Sequence, residues 1–379
     1  MAEKTINTRE LLLEMLLEIT NGKEYSHIVM RNVLDKYNYL RVEEKSFIKR
    51  VCEGTLERMI QIDYVLNQFS KTPVNKMKPV IRNILRMSVY QILYMDAVPD
   101  SAACNEAVKL AERKKFHQLK GFVNGVLRNI ARQKGNISYP PRDKDFVLYA
   151  SVTYSMPEWI IRKWLSEYNQ DTVEKILQGL LKEHAVTIRV DENLPDERKE
   201  KLLEQMKEQG ITVMKHLYLP YAYQLKNLEG VQNLPGFAEG LLTIQDISSM
   251  LVAEVAGIQE NAHIIDVCAA PGGKSLHAAC KLNHTGMVEA RDLTEYKVNL
   301  IQQNIDRMKY DNIKAMVADA LIFEPEKENT ADIVFADLPC SGLGVMGKKR
   351  DIKYHVTEGT LKDIVTLQQS MLHIVQRYS

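Results

Sequence analysis

Apolar residues recur at three-to-four spacing through the first 135 residues. TRELLLEMLLEI, YSHIVMRNVLDKY, EEKSFIKRVCEGTLERMIQIDYVLNQF, KPVIRNILRMSVYQILYM, SAACNEAVKLAERK and FVNGVLRNIARQK each predict a helix with one apolar face. The start, MAEKTINTRELLLEMLLEI, carries acids and reads as an amphipathic helix, not a signal peptide. KTPVNK and AVPDS break the helical pattern, and Asp100 and Ser101, after Pro99, are placed to cap the fifth helix. Gly135 and the pair Pro140-Pro141 mark a domain boundary.

A mixed region follows. MPEWIIRKWLSEYN predicts a helix with Pro157 in its first turn. AVTIRV reads as a strand, DERKEKLLEQMKEQG as a helix ended by Gly210, and ITVMKHL as a strand. From residue 246 the alternation becomes regular. ISSMLVAEVAGI, GGKSLHAACKL, TEYKVNLIQQNIDRM and LKDIVTLQQSMLHIVQRY predict helices, and AHIIDV, GMVEAR, NIKAMV and ADIVFAD predict strands. Strand alternating with helix implies a parallel sheet of the Rossmann-like kind. The predicted fold is therefore multidomain: all-α over 1–140, a linker and small α+β domain over 141–245, and an α/β domain over 246–379.

Bulk properties narrow the class. The chain has 379 residues, 45% apolar and 26% charged, normal for a globular protein. Five cysteines at 52, 104, 268, 280 and 340 form neither a disulfide framework nor a zinc-ribbon spacing, so no metal is expected. No apolar run is long enough to cross a bilayer, and a cytoplasmic protein is expected. The net charge of +1 hides an asymmetry. Residues 1–140 hold 23 Lys/Arg against 15 Asp/Glu, and the remainder 27 against 34. Most of the excess lies in 101–140, with 8 bases and 2 acids, which suggests a polyanionic partner for the helical domain.

The chemistry gathers at strand ends. IIDVCAAPGGKSLHAA runs strand, glycine turn, helix, an arrangement that lets backbone approach a ligand closely and offers it free N–H groups. It lacks the first glycine of a phosphate-binding P-loop, which would fall at Cys268, and it lacks the dinucleotide pattern GxGxxG. Spacing alone implies a small nucleotide-like ligand. Asp292, Asp319 and Asp337 each follow a predicted strand. Singly, each reads as a cap or turn residue; together, they line one crevice with the glycine turn. ADLPCSGLG then places Cys340 in an exposed turn two residues before the first of two glycines.

DVCAAPGGKSLHAA, RDLTEYK and ADLPCSGLG together resemble the RNA 5-methylcytosine methyltransferases. GFVNGVLRNI resembles the helical, NusB-like domain that precedes the catalytic part in the RsmB (Sun/Fmu) branch, the 16S rRNA cytosine-C5 methyltransferases. MPEWIIRKW and TIQDISSMLVAEV resemble its connecting segments, so the likeness spans essentially the whole chain. It implies S-adenosyl-L-methionine (AdoMet) as cofactor, 16S rRNA as partner, and a monomer that neither enters membranes nor binds metal. It implies that Cys268, Ala269, Ala270, Pro271, Gly272, Gly273 and Lys274 form the cofactor loop. Asp292 is implied at the ribose and Asp319 near the adenine. Asp337 is implied at the methyl-donor end and the target base, and Cys340 is implied as a cysteine that assists product release. Leu338 stands where relatives usually have alanine, and Arg350 where they usually have proline.

The family's nucleophile lies in a Thr-Cys motif, and no cysteine follows Cys340 here. The expectation is a chain truncated before that motif, with an incomplete sheet in which ADIVFAD keeps an unpaired edge, and with impaired methyl transfer. The competing expectation is a non-catalytic RNA-binding protein acting through its basic helical domain.

Overall fold

The structure, a computed structural model, describes residues 7–22, 24–182, 185–228 and 230–379. The chain forms two compact units, Met1–Glu183 with Gly342–Glu358, and His184–Ser341 with Gly359–Ser379.

The first unit is helical. It runs α1 (Thr8–Asn21), α2 (Ser26–Lys36), α3 (Val42–Glu57), α4 (Met59–Phe69), α5 (Pro79–Tyr94), α6 (Asp100–Arg113) and α7 (Lys120–Gln133). Then follow α8 (Phe146–Tyr154), α9 (Glu158–Leu165) and α10 (Gln170–Leu180). The helix expected from the start of the chain begins at Thr8, capped by the Asn7 side chain; residues 1–6 lie outside the described residues. α5 is buried almost all round, as a central helix must be, against Leu12, Leu16, Ile48 and Leu127 of the same core. α7 buries Val123, Val126, Leu127 and Ile130 and turns Arg128 and Arg132 outward. Asp100 does not cap α6: Pro99 takes that position, and Asp100 sits in the first turn, paired to Lys134 at 2.9 Å. Pro157 likewise precedes α9 instead of entering it.

The long run from Glu43 to Phe69 is two helices. Arg58 leaves helical geometry, and the Ile60 N–H at the start of α4 donates to Ser155 Oγ at 2.9 Å. Into this break docks a segment from far along the chain, Gly342–Glu358, which carries α15 (Ile352–His355). Lys353 is buried and donates to the carbonyls of Glu57 (2.8 Å) and Ser155 (2.6 Å), at the ends of α3 and α8. Tyr354 donates to Leu56 O at 2.9 Å, and Arg350 pairs with Glu57. The arginine that departs from the family pattern is thus an anchor of this segment.

The second unit has two sheets. β1 (Val186–Val190), β2 (Thr212–Lys215), β3 (Ala222–Lys226) and β4 (Leu242–Ile244) form an antiparallel sheet of order β2-β3-β1-β4. α11 (Asp196–Glu208) covers one face through Leu202 and Met206, packed on Ile188, Val190 and Leu225. α12 (Ile247–Val255) leads into the second sheet: β5 (His263–Asp266), α13 (Gly273–Lys281), β6 (Met287–Asp292), α14 (Glu295–Met308), β7 (Ile313–Val317) and β8 (Ile333–Phe335). This sheet is parallel, of order β7-β6-β5-β8, and α16 (Glu358–Val375) packs on it through Met371 and Val375. The four expected strands are all present. β8 pairs only with β5, so among the described residues no strand occupies its other edge. No described helix is long and apolar enough to cross a membrane.

Candidate active site

Because all four strands run the same way, their carboxyl ends share one rim. Along it, in sheet order, stand Asp319 after β7, Asp292 at the end of β6, the glycine turn after β5, and Asp337 after β8. The turn is built for close backbone approach. Gly272 holds φ at +102°, a region that penalises any side chain, and α13 begins immediately after it with first-turn N–H groups that no carbonyl of its own helix can serve. Ala269 N–H donates to Arg291 O at 2.8 Å, lacing the turn to β6.

Two of the predicted acids touch this turn. Asp292 is buried; its Oδ2 accepts from Ala270 N–H at 3.1 Å, and its Oδ1 accepts from Leu293 N–H (2.8 Å) and Lys297 Nζ (2.9 Å). Asp337 is exposed and pairs with Lys274 at 2.5 Å. Lys274, expected in the cofactor loop, is therefore committed to Asp337 in this structure. Asp319 closes its own turn, accepting from Leu321 N–H at 2.9 Å. Between these carboxylates the rim is apolar, with Leu293, Val317 and Ile322 all exposed.

Cys340 is the exposed thiol of the five. Gln368 of α16 donates to Pro339 O at 2.8 Å, holding the turn that carries it. Cys268 is half-buried, and burial, with Asp292 and Asp266 nearby, pushes its thiol up to about 11. A thiol raised this far is a poor nucleophile at neutral pH.

Residues 6–132 match the NusB family, residues 156–232 the ferredoxin-like domain of the RsmF/B-like methyltransferases, and residues 253–378 the 16S rRNA methyltransferase RsmB/F family. The probable ribosomal RNA small subunit methyltransferase B of Bacillus subtilis (strain 168) is 35% identical over 373 residues, covering 97% of this chain and 81% of the relative. The chain belongs to the RsmB family of rRNA methyltransferases. The probable RsmB of Synechocystis sp. is 28% identical over 377 residues, 98% of this chain and 82% of its own length. The crystal structure of PH0851 shares the fold, with a TM-score of 0.77, 21% identity, and coverage of 98% of this chain and 83% of that one.

One acid at this RsmB rim escapes sequence reasoning. Asp266, the last residue of β5, is buried, and its Oδ2 accepts from Ser275 Oγ at 2.6 Å. Burial raises its carboxyl to about 6, against bonds from Ser275 and the Cys268 backbone that lower it. Lying inside the apolar run IIDV, it reads as strand. A second cluster joins the two sheets' elements. His277 Nε2 meets Glu192 at 3.0 Å, and Lys281 pairs with Glu192 (2.9 Å) and Glu254 (2.7 Å). Glu192, Glu254 and His277 have metal-ligand spacing, but the Lys281 ammonium already supplies the cation there.

Proposed function

We propose that this protein methylates C5 of a cytosine in 16S rRNA with AdoMet as donor. The observation that carries the reading is the Lys274–Asp337 pair, which ties the glycine turn to the Asp-Leu-Pro-Cys turn. The rim fits a nucleoside-bearing cofactor. Asp292 Oδ2 accepts a single described bond and keeps a lone pair for a ribose hydroxyl, the exposed Leu293 and Ile322 offer apolar walls to a flat base, and the α13 N-terminus faces the turn. The remaining loop residues, Cys268 to Lys274, and Asp319 complete that assignment. When bound, AdoMet supplies an electrophilic methyl group.

The target carbon needs help, because cytosine C5 is a weak nucleophile. Addition of a thiolate to C6 forms an S–C6 bond and pushes the C5–C6 π pair onto C5, which then takes the methyl group. Loss of the C5 proton to a base and departure of the thiolate restore the double bond. Asp337, exposed at the mouth of the turn and aligned by Lys274, is the group assigned to hold the base edge. Cys340 is assigned to the elimination step. The base itself must be unstacked to reach these groups.

Within these 379 residues the thiols are accounted for. Cys52, Cys104 and Cys280 are buried, Cys268 is held protonated, and Cys340 alone is exposed. Among them Cys340 is therefore the thiol placed to reach a target base. The test is incubation with labelled AdoMet and unmethylated 16S rRNA, followed by mass spectrometry of the nucleosides. 5-Methylcytosine is expected as the methylated nucleoside. Robust 5-methylcytosine lost in Cys340→Ser would make Cys340 the nucleophile, and a methylated nucleoside of another kind would overturn the C5 chemistry.

A further inference from the structure

The hairpin joining β2 to β3 ends in an exposed apolar tip. Leu217 and Tyr218 are 83% and 78% exposed, side by side. Exposed single apolar residues are ordinary, but this tip is held in place. Leu219 and Tyr221 beside it turn inward and pack with Met250 of α12, and the Tyr221 hydroxyl donates to Glu254. His216 N–H donates to Ala222 O at 2.9 Å across the base of the loop. Tyr218 N–H reaches His216 Nδ1 at 3.4 Å, and the two rings meet edge to face at 5.9 Å. The loop thus presents an aromatic face to solvent from an anchored frame.

Behind the tip lies a cleft of about 510 Å³, between α11 and the outer strands. Its lining carries three lysines, Lys199, Lys207 and Lys215, against two acids, Asp196 and Glu200, together with Tyr223. Asp196 is paired to Lys199 at 3.3 Å. Lys207 and Lys215 are exposed, and no carboxylate among the described residues pairs with them. Aromatic faces beside ammonium groups are how single-stranded nucleic acid is held: bases stack and phosphates pair, with little regard to sequence.

We propose that the β2–β3 tip and its cleft bind an unpaired stretch of RNA, with Tyr218 stacking one base and Lys207 and Lys215 facing the phosphates. This rests on the rRNA reading above and adds a contact on the ferredoxin-like domain. Such a grip suits an enzyme whose target base leaves the stack, since it holds unpaired strand.

The test uses the full chain and a fluorescein-labelled 12-nucleotide oligouridylate, read by anisotropy. Tyr218→Ala weakens binding by about 5- to 150-fold, the range set by one stacked base, while Tyr218→Phe keeps it. Lys207→Ala and Lys215→Ala each lower the slope of log affinity against log salt by about 0.7. The same strand carrying 4-thiouridine crosslinks on irradiation to the peptide holding His216–Tyr221. Unchanged affinity in Tyr218→Ala, or crosslinks confined to the helical unit, would overturn the proposal and leave the rRNA reading standing. No binding of any RNA by the wild-type chain would instead remove the reading on which it rests.

Discussion

The Asp351 carboxylate caps a helix that begins 325 residues earlier. Oδ2 accepts from the Ser26 N–H at 2.7 Å and Oδ1 from the Ser26 hydroxyl at 2.6 Å, at the first residue of α2. Tyr25, at the cap position itself, has no side chain able to do this. The segment that follows the Pro-Cys turn therefore completes the helical unit. Asp351→Ala leaves two buried donors at a helix N-terminus without an acceptor, an expected loss of about 2–3 kcal/mol. Asp351→Asn, which keeps one acceptor oxygen, is expected to lose less. Urea denaturation followed by far-UV circular dichroism checks both.

Two buried groups pull the pH dependence in opposite directions. Burial lowers His277 from 6.5 to about 4, with Arg189 and Lys281 adding to it and the bond to Glu192 opposing. Between those values the unfolded chain binds a proton that the native state refuses, so stability falls as pH drops through the window. Asp266 is raised from 3.8 to about 6, so the native state binds the extra proton, and its contribution is lost as pH rises toward 6. Relative to wild type, Asp266→Asn is expected to make stability climb more steeply from pH 4 to 6, and His277→Gln to make it climb less. Midpoints of denaturation at several pH values read both signs.

Cys340 is expected to be the single fast-reacting thiol. Burial raises Cys52, Cys104 and Cys280, and Cys268 sits near 11. Ellman's reagent should titrate one thiol quickly in the native chain and five in denaturant, and Cys340→Ser should remove the fast one. A second fast thiol would contradict the burial described.

α7 carries Gly121 and Gly125 with nothing within 4 Å of where a Cβ would stand. Neither has a left-handed backbone, so alanine there should only gain helix propensity. Gly125→Ala is expected to stabilise the helical unit by about 1 kcal/mol, read as a higher melting temperature.

What was legible in the sequence follows from how local each signal is. The glycine turn, the four parallel strands and the acids at their ends are written in short contiguous runs; Asp292 and Asp337 contact the turn, and Asp319 closes its own. The docked segment was not legible, because GKKRDIKY reads as a charged surface loop and its partners Ser26, Glu57 and Ser155 are set only by the tertiary fold. The break at Arg58 was hidden for the same reason: no proline or glycine marks it, and its stabilising partner is Ser155. β4 has three residues, too few to show alternation, whereas β3, paired with both β1 and β2, does carry it in Tyr223-Gln224-Leu225-Lys226. Asp266 was lost inside an apolar strand, where only the fold reveals a buried acid.

AdoMet binding at the proposed rim of β5, β6 and β8 is read by calorimetric titration of the purified chain. Saturable binding at one site is expected, lost in Gly273→Asp and in Asp292→Ala while circular dichroism shows both variants folded. A soluble, folded wild-type chain that takes up no AdoMet, or variants that bind it as the wild type does, would contradict it.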